Sequence, residues 1–230
     1  MNPTFDMEPE FLELHELCRE QTMTSLERMY ALWSATRHIV DSELPGAFVE
    51  CGVWRGGSVM LMAATLLRLG DTSRDLWLYD TFAGMTAPGA DDVQTMSGRA
   101  AADLLREHER TLDDPFWGIS PREAVERNLR RTGYPFERFH FVEGDVLTTL
   151  PASAPDQLAL LRLDTDWYAS TRHELAHLYP RLVPGGVLIV DDYGYWRGAK
   201  KATDEYLATL RPRPLLHRID YTGRVGVKPG

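Results

Sequence analysis

The sequence predicts an α/β fold with a mostly parallel central sheet, helices on both faces and a closing antiparallel hairpin. Short apolar runs alternate with segments whose apolar residues recur at helical spacing, the signature of βαβ units. Two successive apolar runs end in pairs of aspartates, and Gly or Pro turns separate the elements. A length of 230 residues, 43% of them hydrophobic, suits one compact domain with a full core.

Each element follows from its local pattern. Leu26 to Val40 carries Leu26, Met29, Tyr30, Trp33, Ile39 and Val40 at helical spacing. Thr24 or Ser25 can cap this helix, and Glu27 suits its first turn. Residues 1–45 as a whole are expected to form an N-terminal helical cap segment. Ala47–Cys51 is the first strand, and Ser58–Leu69 an apolar helix ended by Gly70. Asp75–Asp80 is the second strand. Residues 83–120 are too long for an ordinary connection and hold only a helical patch near Ala100–Arg110. They read as a lid or substrate-recognition insertion, or else as a mobile surface excursion. Ser120 as N-cap, Pro121 and Glu123 open a helix that stops at Gly133. Strands at Phe139–Glu143 and Leu158–Leu163 follow, then a helix at Ser170–Tyr179. A turn at Pro184-Gly185-Gly186 opens a strand at Val187–Val190, and Lys200–Leu210 is the last helix. His217–Tyr221 and Arg224–Val227 form the closing hairpin.

Composition removes several classes of function. Net charge is −9, from 34 acidic and 25 basic residues. That opposes a nucleic-acid partner, which needs a basic footprint, and suits a cationic ligand. Cys18 and Cys51 form neither a disulfide framework nor a metal-ligand spacing, and Cys51 reads as a packed core thiol. Met1–Glu13 lacks the basic and apolar regions of a signal peptide, and no apolar segment reaches bilayer length. A cytoplasmic protein without a membrane partner is expected.

Four motifs carry chemistry. Val49-Glu50-Cys51-Gly52-Val53-Trp54-Arg55-Gly56-Gly57-Ser58 leaves a strand and opens a helix, the setting of a nucleotide-binding loop. Its spacing is not G-x-G-x-x-G. Glu50 at that edge would repel a pyrophosphate and attract an amino-acid ammonium, which favours S-adenosylmethionine over a dinucleotide. Asp80 ends the second strand, where an acid accepts from a ribose diol, and Thr81 and Phe82 are placed to line the adenosine. Gly144-Asp145-Val146 follows the third strand, where an acid can accept from an adenine amine, although Gly-Asp is equally a plain turn. Asp164 and Asp166 end one strand, and Asp191 and Asp192 the next. Parallel neighbours bring such carboxylates together, and a hard divalent cation relieves their repulsion. All-oxygen ligation suits Mg²⁺, Ca²⁺ or Mn²⁺. Solvated helix-capping acids are the plainer alternative.

The runs VECGVWRGGS, DTF at Asp80–Phe82, LDTDWYASTRHELAHLYPRLVPGG from Leu163 and VDDYGYWRGAKKATDEY from Val190 resemble the TylF/MycF/NovP family. These are macrocin O-methyltransferase-like enzymes that methylate natural-product sugars. The resemblance covers about Thr22 to Tyr206. It implies a Rossmann-like class I methyltransferase fold, S-adenosylmethionine, Mg²⁺, a deoxysugar or glycoside substrate and a homodimer or higher homo-oligomer. By it, Asp164, Asp191 and Asp192 match the metal acids, and Glu50, Gly52 and Ser58 the loop holding the methionine part. Asp80 matches the ribose acid and Asp145 the adenine contact. Thr22-Met23-Thr24-Ser25 matches a segment closing over the cofactor. The more distant catechol O-methyltransferases carry a lysine base three residues after the first metal acid. This chain has Trp167 there, which removes that base. Asp164 is then the first candidate for accepting the hydroxyl proton, with Asp166 or His108 as alternatives. A phenol or carboxylate acceptor, a nicotinamide dehydrogenase and a non-catalytic binding protein compete with this reading. The spacing around Glu50 and the acid cluster argue against the last two.

Overall fold

A computed structural model describes residues 4–112 and 114–230. Residues 1–3 of the N-terminal segment and Asp113 of the 83–120 insertion lie outside the described residues. The elements, in order, are α1 (Pro9–Cys18), α2 (Leu26–Asp41), β1 (Ala47–Cys51), α3 (Gly57–Arg68) and β2 (Leu76–Asp80). Then come α4 (Ala101–Glu107), α5 (Arg122–Arg130), β3 (Phe139–Glu143), α6 (Val146–Thr149), β4 (Leu158–Leu163) and α7 (Tyr168–Leu178). The chain ends with β5 (Leu182–Val190), α8 (Arg197–Ala208), β6 (Leu216–Arg218) and β7 (Arg224–Val227).

The strands form one seven-stranded sheet in the order β3-β2-β1-β4-β5-β7-β6. β1 to β5 pair in parallel, and β7 joins antiparallel to β5 and β6. Alternate residues of each strand face opposite layers. Phe48, Leu76, Leu78, Leu160 and Ile189 pack with α1, α2, α3 and α5. Val49, Cys51, Tyr79, Leu161, Leu163 and Val190 pack with α7 and α8. The chain order reverses between β1 and β4, so their carboxyl ends open a crevice, the usual ligand site of such sheets.

Several elements differ from their local patterns: α8 starts at Arg197 rather than Lys200, β6 covers Leu216–Arg218 rather than His217–Tyr221, and three further differences have a visible cause. α7 starts at Tyr168 rather than Ser170, because Asp92 Oδ1 accepts from Tyr168 N at 2.7 Å. A cap supplied from 76 positions away leaves no local signal. Pro184-Gly185-Gly186 lies inside β5 instead of turning into it, since Gly185 N donates to Lys228 O and Lys228 N to Gly186 O, both at 2.8 Å. Ser120 does not cap α5. The helix begins at Arg122 after Pro121, without a side-chain cap, and Ser120 is buried.

The 83–120 stretch is tied to the sheet edge. Buried Asp92 accepts from Gly89 N and Tyr168 N, Arg197 N donates to Val93 O, and Trp167 Nε1 donates to Thr86 O. Ala101, Leu104 and Leu105 join Trp167, Trp196 and Ala199 in a separate small core.

Candidate active site

Register places the acids before any side chain is considered. Glu50 is the partner of Arg162 across β1 and β4, and Leu163 of Val190 across β4 and β5. Asp164 N then donates to Cys51 O at 2.8 Å, and Asp191 N to Leu163 O at 2.9 Å. The ladder therefore continues one residue past the strands and fixes where both side chains depart. A cavity of about 370 Å³ opens there. Glu50, Gly52, Ser58, Asp80, Thr81, Asp145, Val146, Asp164, Asp166, Asp191 and Asp192 all line it, as does Met23.

One end is built from the glycine loop. Gly52 has φ +84, and a Cβ there would lie 2.0 Å from Asp164 O, so only glycine lets β1 and β4 meet so closely. A Cβ on Gly57 would lie 2.5 Å from Gln21 O, which shows how tightly the Gln21–Thr24 segment is laid over the start of α3. Asp80 organises the loop. Its Oδ2 accepts from Val53 N at 2.6 Å and Trp54 N at 3.1 Å, and its Oδ1 from Phe82 N at 2.7 Å. Burial nevertheless raises its pKa, against those three bonds. Asp145 caps α6 through Leu147 N at 2.9 Å, and Thr81 donates to Gly84 O at 2.7 Å. Ser25 lies off the cavity lining. Its Oγ caps α2 through Arg28 N at 3.2 Å and donates to Asp220 at 2.7 Å.

The acidic end holds a residue that the sequence motifs do not single out. Arg162, 3% exposed, bonds Glu50 Oε1, Asp164 Oδ2 and Asp191 Oδ1 at once. A lone arginine in the apolar run of β4, two residues before Asp164, was the available signal. Arg28 on α2 pairs with Asp191 Oδ2 and with Asp220, and nothing local marks it. Oxygens of Asp164, Asp191 and Asp192 lie within 4.8 Å of one another. Two buried oxygens at this cavity have no hydrogen-bond partner, Glu50 Oε2 and Asp192 Oδ2. Burial pushes the Glu50 carboxyl up to about 8 despite Arg162. Burial and facing carboxylates push Asp192 well up, and burial takes its neighbour Asp166 to about 7. Asp166 has φ +67 and accepts from Trp196 Nε1 at 3.0 Å. Phe116, Trp167, Tyr195, Trp196 and Met85 form an apolar wall beside these acids.

His108 does not reach the cavity. It stacks on Phe116 at 4.5 Å and bonds Asp114 at 2.9 Å. Its own hydrogen bond and the Phe116 ring account for its position.

The strand-end cavity thus has one acid before the first glycine of its loop and another at the end of β2. The model of the macrocin-O-methyltransferase (TylF) family matches residues 18–225. The chain belongs to this family. It is accordingly an S-adenosylmethionine-dependent O-methyltransferase. An 8-demethyl-8-(2,3-dimethoxy-alpha-L-rhamnosyl)-tetracenomycin-C 4'-O-methyltransferase of Streptomyces olivaceus is 36% identical over 204 residues, 88% of this chain and 73% of that one. A demethyldecarbamoylnovobiocin O-methyltransferase of Streptomyces niveus is 35% identical over 202 residues, with the same two coverages, 88% and 73%. The structure of the O-methyltransferase NovP superposes with a TM-score of 0.77 at 32% identity, over 94% of this chain and 88% of that one. Among the described residues, no helix is long and apolar enough to cross a membrane.

Proposed function

We propose that this O-methyltransferase methylates a hydroxyl of a deoxysugar, carried on a natural-product glycoside or a sugar nucleotide, with Mg²⁺ held by Asp164, Asp191 and Asp192. The carrying observation is the pairing of Glu50 Oε2 and Asp192 Oδ2, two buried acceptors without donors, in one cavity. A buried unpaired carboxylate oxygen is costly unless a ligand satisfies it. Glu50 suits the cofactor's ammonium. The three all-oxygen ligands suit a hard divalent cation. The rhamnosyl group in the name of the Streptomyces olivaceus relative supports the substrate class.

Each residue then has a task. Glu50 Oε2 receives the ammonium, and Ser58 at the start of α3 faces the same amino-acid end. Asp80, its amide bonds already holding the loop, accepts from the ribose with its remaining lone pairs. Asp145 and Val146 border the adenine. When bound, Mg²⁺ lowers the pKa of a coordinated hydroxyl, which a sugar needs more than a phenol does. Asp164, which keeps 26% of its side chain exposed, accepts the proton, and Asp166 stands next in line. Phe116 of the 83–120 stretch, with Tyr195 and Trp196 just before α8, excludes water and faces the apolar side of the sugar.

The same aromatic wall also fits a phenol, which is the second reading. Purified protein with methyl-labelled S-adenosylmethionine, offered deoxysugar glycosides, sugar nucleotides and phenols, separates them. Label on a sugar oxygen is expected. Label on a phenolic oxygen alone would overturn the substrate assignment.

A further inference from the structure

Arg28 is the one cationic side chain lining the cavity among the described residues, against seven acids: Glu50, Asp80, Asp145, Asp164, Asp166, Asp191 and Asp192. It is 10% exposed and spans two elements, with Nη1 on Asp191 Oδ2 and Nε 3.1 Å from Asp220 Oδ2. Asp220 is itself pinned by Ser25 Oγ at 2.7 Å and by Thr222 N and Gly223 N at 2.8 and 2.6 Å. The cofactor reading leaves one group without a partner. The amino-acid end of S-adenosylmethionine carries a carboxylate as well as an ammonium, and a carboxylate among these acids needs a cation.

We propose that Arg28 is shared between Asp191 and the cofactor's carboxylate, so that a divalent cation at the acid cluster and the cofactor bind with positive coupling. This rests on the cofactor and metal reading given under Proposed function.

The two arginines on Asp191 differ in their freedom to move. Both oxygens of Asp191 are taken, Oδ1 by Arg162 and Oδ2 by Arg28. A cation binding there competes with one of them. Arg162 is 3% exposed, rooted in the middle of the sheet and divided among three acids of three strands. Losing it from Asp191 would leave its buried Nη2 without that acceptor. Arg28 instead reaches in from the first turn of α2, lines the cavity and keeps Asp220 as a second anchor. Arg28 therefore yields. Its Nη1 is freed on the wall next to the Gln21–Thr24 segment, and both border the cavity that Glu50 shares. A carboxylate arriving there gains a charge-assisted partner that it would otherwise contest with Asp191. The metal lowers the cost of cofactor binding, and linkage requires the converse in equal measure.

Calorimetry on the full chain, without acceptor, tests this with two probes. One is S-adenosylmethionine. The other is its decarboxylated analogue, which keeps the sulfonium and the ammonium. Saturating Mg²⁺ is expected to tighten S-adenosylmethionine by about tenfold, and the decarboxylated analogue by less than twofold. Arg28→Met should abolish the Mg²⁺ response of S-adenosylmethionine, with folding checked by thermal melting. An equal response of the two probes, or none for S-adenosylmethionine, overturns the shared-arginine account in the wild type, whatever the variant does. A wild-type chain that binds neither probe under any condition instead removes the cofactor reading beneath it.

Discussion

The two ends of the cavity are built on opposite principles. At the loop end, Asp80 is well supplied with backbone donors: three amides from Val53, Trp54 and Phe82 hold it. At the acidic end the shortage is of donors. Asp192 Oδ2 is buried with no partner, and two arginines serve the acids around it. A carboxylate held by three amides keeps the protein's own backbone in shape. An unsatisfied one awaits something from outside. The first should therefore fail through the fold and the second through chemistry.

The largest effect is expected at the acidic end. Asp192→Asn should lower kcat by roughly a thousandfold, the several kcal/mol a cation supplies to a developing oxyanion. Its melting temperature should stay near wild type, because no protein donor is lost. A matching fall in stability would erase the contrast. Asp80→Ala should do the reverse. It strips three amides of their acceptor, costing on the order of 3 kcal/mol, or about 10 °C in a melting curve for a chain of this length. Cofactor affinity should fall with it, since the loop loses its shape. A stable Asp80→Ala variant would show that the loop holds itself.

What is legible in the sequence follows the same division. Strand-borne acids were found because each closes an apolar run, and the parallel register does the rest. Leu158–Leu163 was placed to the residue, and Asp164 follows from it. Contacts made across the fold were not legible. Arg28 lies 163 positions from Asp191, and the Asp92 cap of α7 is nearly as hidden. Arg162 was visible as a charge in a core strand, yet only the register shows that it faces three acids. The insertion was marked as unusual by its length, but its docking on α7 and α8 depends on Trp167 and Trp196, which pattern alone reads as ordinary core.

Two smaller effects sharpen the comparison. Phe116→Ala should raise the acceptor KM about tenfold by removing one aromatic face, and leave cofactor affinity unchanged. Steady-state kinetics with both substrates varied reads this directly. Glu174 tests burial away from the ligands. It is fully buried on α7, accepts from Thr165 Oγ1 at 2.8 Å, and burial pushes its carboxyl up to about 8. A raised carboxyl binds its proton more tightly in the folded chain. Its stabilising share is thus complete below about 4.5, its ordinary value, and declines as pH rises toward 8. Within that window the loss is on the order of 1 kcal/mol per pH unit. Glu174→Gln should flatten that part of the melting-temperature profile, and an unchanged slope would deny Glu174 this role.

The central claim is that the acid cluster holds a divalent cation needed for methyl transfer. Wild-type turnover in excess chelator, followed by Mg²⁺ add-back, tests it most directly. The account predicts loss of at least about a hundredfold in chelator and recovery with Mg²⁺. Full turnover in chelator would contradict it, and would return Asp164 and Asp191 to the role of acids that Arg28 and Arg162 alone neutralise.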